Sequence, residues 1–338
     1  MQIVFESGQI KDPKISVIIM FKNEGVTIPL ALDSLIRQKT DFEWEVIFLD
    51  GCSTDDSIDV IKKHKLSSTV PVRIVSLPPD NCGMVVAQNT GAKLARAPYG
   101  VLMQADVRIE DDKALSKVLK AFDDSDTVAT YYVGLGPGED MFKYDFWGQV
   151  FSAQYHGIRN IRSFDTKFNG IRRDVFLKIG GMDEKKMPFG GGDFLLEQSL
   201  LCEGKIAETD IEAEHLHGFG KRHSARGLMK KYCRNAEVTG VCAPQYLIRG
   251  TNIAASLQHW VVVLACLISF YPPFWPWSPL SVFLFGLYWS RAVYLYVRSW
   301  RVVQVPFFSF AVMYAFAFFF LKGLLGGKTR YVFDNKMN

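Results

Sequence analysis

Asn23, Glu24, Asp50 and Asp106 are the residues of this chain best placed to do chemistry. Each sits at or just past the polar end of a short apolar run: Ile15–Phe21, Glu45–Asp50, and Val101–Ile109, which turns polar at Gln104, Ala105 and Asp106. Runs of this kind read as buried strands. In an open α/β sheet, strand ends share one edge, so side chains distant in sequence meet there. Carboxylates collected at such an edge suit two tasks. One can accept a hydrogen bond from a base N–H, and another can hold a hard Mg²⁺ or Mn²⁺ that neutralises a diphosphate. Asp106 is the candidate for the cation. A lone Asp after a strand also opens turns, or caps a helix such as Glu110–Leu119; the same arrangement repeated upstream favours the cation.

The elements that must position these residues alternate. Helical spacing of Ile28, Leu32, Leu35 and Ile36 follows the first strand. Asp50 leads into Ser53, Thr54 and Asp55, which suit a helix N-terminus, and a helix through Ile58 and Ile61. Val72–Ser76 reads as a third strand, and Val85–Ala95 as a helix before the strand that ends at Asp106. This alternation predicts an α/β fold with a mostly parallel sheet and right-handed crossovers.

The 338 residues divide unevenly. Residues 1–245 carry charge throughout and read as a soluble domain, with 246–338 as a membrane-anchoring helical region. From Ala255 to Leu321 the only Lys, Arg, Asp or Glu are Arg291, Arg298 and Arg301. Three apolar segments lie there: Trp260–Tyr271, Leu280–Val297 and Val305–Leu321. Trp275, Trp277, Trp289 and Trp300 stand where interfacial aromatics would. Arg298 and Arg301 fall inside if all three segments cross, whereas Lys322, Lys328 and Arg330 then fall outside. The first placement agrees with the positive-inside bias and the second opposes it; two crossings with one interfacial segment resolve the conflict equally well, and the count stays open. A net charge of +4 is too mild to argue for nucleic acid. Six cysteines without CxxC spacing indicate neither a zinc site nor a disulfide framework, and fit a reducing compartment. The first residues lack a basic stretch leading into a long apolar core, so the soluble part is expected in the cytosol.

Four segments, Ile18–Glu24, Phe48–Asp55, Ala87–Gly91 and Gln104–Asp106, resemble in order and spacing the motifs of family 2 glycosyltransferases, whose catalytic domain has the GT-A fold. The resemblance implies that Asp50 contacts the nucleobase and Asp106 binds the metal beneath the sugar-nucleotide diphosphate. It also implies that Phe21, Asn23, Glu24, Asn89, Gln104 and Ala105 belong to the donor-binding segments. Gln104 stands where the family usually has the first Asp of a D-x-D element, and Gln88 where it often has Arg. A Gln can accept from a sugar hydroxyl but brings no charge to the cation.

The resemblance resumes at Phe168–Phe176, the segment expected beneath the donor sugar, which adds Arg172 to the binding residues. In Phe189–Gly204, Asp193 lies 11 residues before Gly204, the interval that separates the family's E-D pair from its helix-ending glycine. Gly192 replaces the Glu and the Asp is kept. An inverting transfer needs a base for the acceptor hydroxyl proton, and the resemblance gives that role to Asp193. The competing role is a helix N-cap, with Glu197 one turn later. Ile211–His217 alternates as a strand, placing His215 and His217 on one side. The resemblance puts a His near the metal without deciding between them. Aromatics at Tyr144, Phe146, Trp147, Phe151 and Tyr155 read as helix packing, and basic Lys221–Arg234 suits phosphates or anionic lipid.

The resemblance thus implies a metal-dependent, inverting glycosyltransferase of polysaccharide or glycan biosynthesis. Its donor would be a nucleotide sugar, a UDP-sugar being commonest. Its acceptor would be a lipid-linked sugar or polyprenyl phosphate, at the inner (plasma) membrane with the catalytic domain cytoplasmic. A processive polysaccharide synthase is the first alternative, disfavoured because Lys230–Asn235 stands where a Q-x-x-R-W motif would lie. A catalytically inactive nucleotide-binding scaffold is the second, suggested by Gln104 and Gly192.

Overall fold

The structure is a computed structural model that describes residues 1–135, 138–156, 161–184, 192–216, 223–249, 253–275 and 277–326. His217 and most of the triglycine segment lie outside the described residues. The chain forms two compact units, Met1–Gly138 with Ile158–Gly220, and Glu139–Gly157 with Lys221–Asn338.

The strands are β1 (Gln2–Ser7), β2 (Ile15–Phe21), β3 (Trp44–Asp50), β4 (Val72–Ser76), β5 (Tyr99–Gln104), β6 (Val107–Ile109), β7 (Thr127–Thr130), β8 (Tyr132–Leu135), β9 (Ile161–Ser163), β10 (Phe168–Arg172), β11 (Lys205–Ala207) and β12 (Glu212–His215). The helices through the same stretch are α1 (Ile28–Ile36), α2 (Ser57–Lys63), α3 (Leu66–Thr69), α4 (Met84–Leu94), α5 (Ala114–Ala121), α6 (Phe146–His156), α7 (Arg173–Lys178) and α8 (Gly192–Leu201). Of these helices α6 belongs to the second unit.

One sheet has eight strands in the order β1-β4-β3-β2-β5-β10-β7-β11. Its centre, β4-β3-β2-β5, is parallel, as the alternation of strands and helices predicts. Central strands covered on both faces should be apolar throughout, and every residue of β2 and β3 is buried. Ile15, Val17, Ile19 and Phe21 pack toward Ile28, Leu32 and Leu35 of α1 and Leu115 and Val118 of α5. Ile18 and Met20 face Val85 and Ala92 of α4, Phe176 of α7, and Leu196 and Leu200 of α8. At Gly91 a Cβ would lie 2.2 Å from Ile18 Cγ2, so the bare glycine lets α4 rest on β2.

Two features depart from the sequence reading. The run Val101–Ile109 is not one strand: β5 ends at Gln104 and β6 pairs with β12 in a separate four-stranded sheet, β6-β12-β8-β9. Asp106 is therefore the joint between the sheets. The second is β10, which runs antiparallel to β5, pairing Phe168 with Met103 and Arg172 with Tyr99.

At the amino edge of the large sheet, Glu45 is almost wholly buried and fully engaged. Oε1 accepts from Ser16 Oγ at 2.8 Å and from the Arg96 amide at 2.9 Å, while Oε2 takes Arg73 at 3.0 Å.

The second unit is helical: α6, α9 (Ala225–Arg249), α10 (Ile253–Ile268), α11 (Trp277–Trp289), α12 (Arg291–Tyr296) and α13 (Val305–Leu324). The expected boundary after residue 245 falls inside α9, and the compact units divide elsewhere because α6 joins this group. Helices α9 and α13 touch backbone to backbone: a Cβ on Gly240 would meet the Phe320 carbonyl, and one on Gly323 the Glu237 carbonyl. Segment Leu280–Val297 is broken at Ser290 into α11 and α12. Among the described residues one helical segment, Trp300–Leu324, is long and apolar enough to cross a membrane, with a mean hydropathy of 1.9. At 1.5 Å per residue it reaches about 37 Å against a hydrocarbon core of about 30 Å. The apolar stretch His259–Ile268 is shorter.

Candidate active site

The carboxyl edge of the central strands is built from loops that brace one another. Asp50 closes β3, 3% exposed, and accepts from the Ser53 amide at 2.8 Å and from Ser76 Oγ at 3.1 Å. Asn23, after β2, has φ +55°, a left-handed conformation that Asn tolerates better than most residues. Its Oδ1 accepts from the Thr54 amide at 2.8 Å and its own amide donates to Ser53 Oγ at 3.0 Å, tying the first loop to the second. The Glu24 amide donates to Ser57 Oγ at 2.8 Å, its carbonyl takes the amides that open α1, and its carboxylate accepts from Thr27. Burial would raise the Asp55 carboxyl, but hydrogen bonds from Ser57 and the Gly25 amide outweigh it and hold the group low.

Asp106 and His215 meet directly. The strand pairing of β12 with β6 sets His215 opposite Val107, and His215 Nε2 lies 3.0 Å from Asp106 Oδ2. Both side chains keep just under a fifth of their surface open. A carboxylate and a neutral imidazole can both ligate a divalent metal ion, without singling out one metal. No cluster of three His, Cys, Asp or Glu occurs among the described residues, so donor oxygens and water must complete a cation's shell. The pair fits a divalent ion on those terms.

Asp193 lies in the first turn of α8 and accepts from the Phe194 amide. Burial, then the negative charge of Asp165, raises its carboxyl above the ordinary 3.8, against the opposing pull of Lys167. Glu197, one turn on, is raised by burial and by Asp193 while a hydrogen bond from Tyr131, 2.7 Å long, works the other way. Burial raises the Tyr132 phenol, with charges of Asp165, Asp193 and Asp106 adding to it.

Sequence reasoning missed Asp165, Lys167, Tyr131 and Tyr132. Asp165 accepts from Tyr132 at 2.8 Å and pairs with Lys167. Burial would raise Asp165, but Lys167, Tyr132 and His215 hold it below the ordinary range. Thr166 between them has φ +59°, a β-branched residue in left-handed backbone, which costs on the order of 1–3 kcal/mol. The signal was the Asp-x-Lys immediately ahead of the apolar start of β10, at the strand end that antiparallel pairing brings to the site.

The same pairing corrects Arg172. It stands opposite Tyr99, four ladder steps from the Phe168–Met103 pair and so about 13 Å from the carboxyl edge. Its guanidinium donates to the Thr127 carbonyl at 3.1 Å and stacks on Tyr99 and Phe122. Arg172 is a support of the far edge, not a donor contact. The Phe21 ring is 4% exposed and packs edge-on against Phe48, and its carbonyl accepts from the Gly51 amide at the loop. Asn89 is 4% exposed and clamps α4 to the following segment, through Met182 at 2.9 Å on both sides of its amide and Glu184 at 2.8 Å. Ala105 donates its amide to the Met20 carbonyl at 3.3 Å, and Gln104 is half-buried at the end of β5.

Residues 16–180 match the model of glycosyl transferase family 2. Over those residues, just under half of the chain, the sequence resembles that family. It is 29% identical over 170 residues to the glycosyltransferase GlyA of Streptococcus pneumoniae, covering 50% of this chain and 23% of that protein. It is 28% identical over 106 residues to a PGL/p-HBAD biosynthesis glycosyltransferase of Mycobacterium tuberculosis, covering 31% of this chain and 40% of that protein. The chain thus spans less than half the length of either relative. Among solved structures it is similar to a mannosyltransferase from Pyrobaculum calidifontis, in complex with GDP-Man and Mn²⁺. The TM-score is 0.53 at 17% identity, over 93% of this chain and 88% of that one. At that identity the likeness carries the fold, a GT-A-like mixed α/β architecture.

Proposed function

We propose that this chain transfers a sugar, with inversion, from a nucleotide sugar to a lipid-linked sugar or polyprenyl phosphate in glycan biosynthesis. The observation that supports the reading is the Asp106–His215 pair, 3.0 Å apart, just past the end of the central strand β5. Asp50, buried at the next strand end, is the candidate for the base of the nucleotide. Asp106 and His215 would hold a divalent cation, which when bound neutralises charge on the leaving diphosphate. With a sugar hydroxyl as acceptor, Asp193 takes its proton as that oxygen bonds to the anomeric carbon; a polyprenyl phosphate would attack through an ionised oxygen and need no base. The carbon–oxygen bond to the diphosphate breaks, and its electron pair leaves with the nucleoside diphosphate. The raised proton affinity of Asp193 suits it to that step better than an ordinary exposed Asp.

A membrane-held acceptor is supported by the apolar segment Trp300–Leu324, whose apolar 18-residue stretch is only 28% buried within the chain. Exposed Leu264, Trp275, Trp277, Trp300 and Phe307 add apolar surface that water does not favour. The cytoplasmic side of the inner membrane is the placement that goes with a nucleotide-sugar donor.

The experiment is thermal stabilisation of the full chain in detergent by UDP-glucose, UDP-N-acetylglucosamine and GDP-mannose, with and without Mn²⁺. Stabilisation by one of them should need Mn²⁺, and Asp106→Asn should abolish the Mn²⁺-dependent part while the protein stays folded. Unchanged Mn²⁺-dependent stabilisation in that variant rules out Asp106 as the ligand.

A further inference from the structure

Helix α13 is long enough to cross a membrane, but its neighbours are not all apolar. Helix α9 lies along it in the same direction: Tyr232 packs on Phe308 with ring centroids 6.3 Å apart, and farther on the Gly240 backbone meets that of Phe320. Beside Gly323, Glu237 is wholly buried and accepts from Lys322 at 3.1 Å. The part of α9 that precedes Glu237 carries Arg226, Lys230, Lys231 and Arg234. Arg226 and Lys230 are exposed, and Lys231 lies over the Phe151 ring of α6, 3.9 Å from its centroid. If α13 stood upright in a bilayer with Gly323 near one surface, α9 would stand with it. At 1.5 Å per residue, Arg234, Lys230 and Arg226 would then lie about 4, 10 and 16 Å deeper than Glu237. Arg226 would reach the middle of a hydrocarbon core about 30 Å thick, where an exposed guanidinium is costly.

The apolar surface suits another placement. On α13 the exposed large apolar side chains, Phe307, Phe318 and Leu325 just past its end, repeat at helical spacing, with Val312, Phe320 and Gly323 buried on the opposite side. On α10 the exposed residues Leu257, Val261, Leu264 and Ile268 form a like stripe. Charge points to what covers these stripes: from Lys221 to Leu324 the chain has eleven Lys or Arg and one acid, Glu237, which Lys322 already neutralises. We infer that the helical unit lies along one face of an anionic phospholipid bilayer, with α13 in the plane of the leaflet rather than across it. The α9 cations meet the phosphate headgroups while the stripes of α10 and α13 enter the acyl chains. Arg291 over Tyr288 and Arg301 over Phe146, 4.2 and 4.4 Å from the ring centroids, pair a cation with an aromatic ring as side chains at the headgroup level do. The inference rests on the membrane-held reading above and adds to it the orientation of the unit and the charge of the lipid.

The test adds the full chain, freed from detergent, to sealed vesicles of phosphatidylethanolamine with phosphatidylglycerol, or of phosphatidylcholine alone. Flotation should show tighter binding to the anionic vesicles, and Arg226→Gln with Lys230→Gln should weaken that binding roughly tenfold or more. Orientation is read with a membrane-impermeant maleimide added outside, the modified peptides being identified by mass spectrometry. Lys230→Cys, and a Cys appended after Asn338, should both react in sealed anionic vesicles as fully as after detergent is added. The appended Cys leaves the rest of the chain native and serves as the readout if Lys230→Cys does not fold. Protection of either Cys until detergent is added means that α13 crosses, and overturns the inference. Equal binding of the native chain to both kinds of vesicle, or undiminished binding of the folded double variant, overturns it too. A chain that floats with neither vesicle and stays in solution, alone or as a discrete oligomer, overturns the membrane-held reading itself.

Discussion

The two edges of the large sheet use charge in opposite ways. At the amino edge Glu45 is enclosed by Ser16, Arg73 and the Arg96 amide, and Arg172 lies beside the stacked rings of Tyr99 and Phe122. At the carboxyl edge Asp50, Asp106, Asp165, Asp193 and Glu197 gather, with Lys167 and His215 as the cationic or potentially cationic groups named near them. Two of those carboxyls are pushed up rather than down. One edge is compensated and inert, whereas the other keeps unfavourable charge where a substrate and cation would relieve it, the departure from local consistency expected of a functional site.

The comparison breaks most visibly at Glu45. Glu45→Ala leaves Arg73, 8% exposed, without its carboxylate and should cost about 3–5 kcal/mol in chemical denaturation. Turnover per folded molecule should stay at the native level; a large loss of turnover with full stability would erase the distinction. Asp193→Asn is the mirror experiment. It should lower transfer about 10²-fold or more while the melting temperature stays equal or rises, because an uncharged side chain escapes the repulsion from Asp165. Since Asn also caps helices well, near-normal turnover would mean that Asp193 serves only the start of α8. Arg172→Leu should cost about 1–2 kcal/mol from lost carbonyl and ring contacts without moving donor affinity. Weakened donor binding in a fully stable variant would return Arg172 to the site.

The smallest effect is the pH dependence of stability. A carboxyl raised in the fold, as at Asp193, binds its proton more tightly folded than unfolded, so it lowers stability as pH climbs from the ordinary 3.8 through its folded value. Asp165, lowered in the fold, contributes stability above that ordinary value and loses it as pH falls through its own folded value. Melting temperature measured upward from pH 4 should therefore fall less steeply in Asp193→Asn than in the native chain. Parallel curves would contradict the sign.

Most of the parallel core was legible because β2 and β3 are buried on both faces and carry unbroken apolar runs. Asp50 and Asp106 were legible for the same reason: in a parallel strand, the residue after the apolar run lies at the carboxyl edge. That rule inverts for β10, which sequence alone does not reveal to be antiparallel. The inversion put Arg172 in the site and left Asp165 and Lys167 out of it. The split of Val101–Ile109 was hidden because β6 is as apolar as β5; only pairing with β12 shows that it belongs elsewhere. In the second unit, composition marked the apolar region but not the break at Ser290, since the one glycine of Leu280–Val297, Gly286, lies a turn earlier inside α11 and no proline stands at the break.

The early membership of α6 in the second unit has a consequence for synthesis. Met141, Phe146, Val150 and Ala153 cluster with Val293, Val297 and Val305, residues that leave the ribosome much later. At about 5–20 residues per second, a lag of roughly 140 residues is on the order of 7–30 s. During that interval the helix lacks the Val293, Val297 and Val305 side chains that cover it in the finished unit. Its nascent form is thus a substrate for chaperones or for the bilayer before it is part of a fold, and slowing translation ahead of Val293 would prolong that exposure.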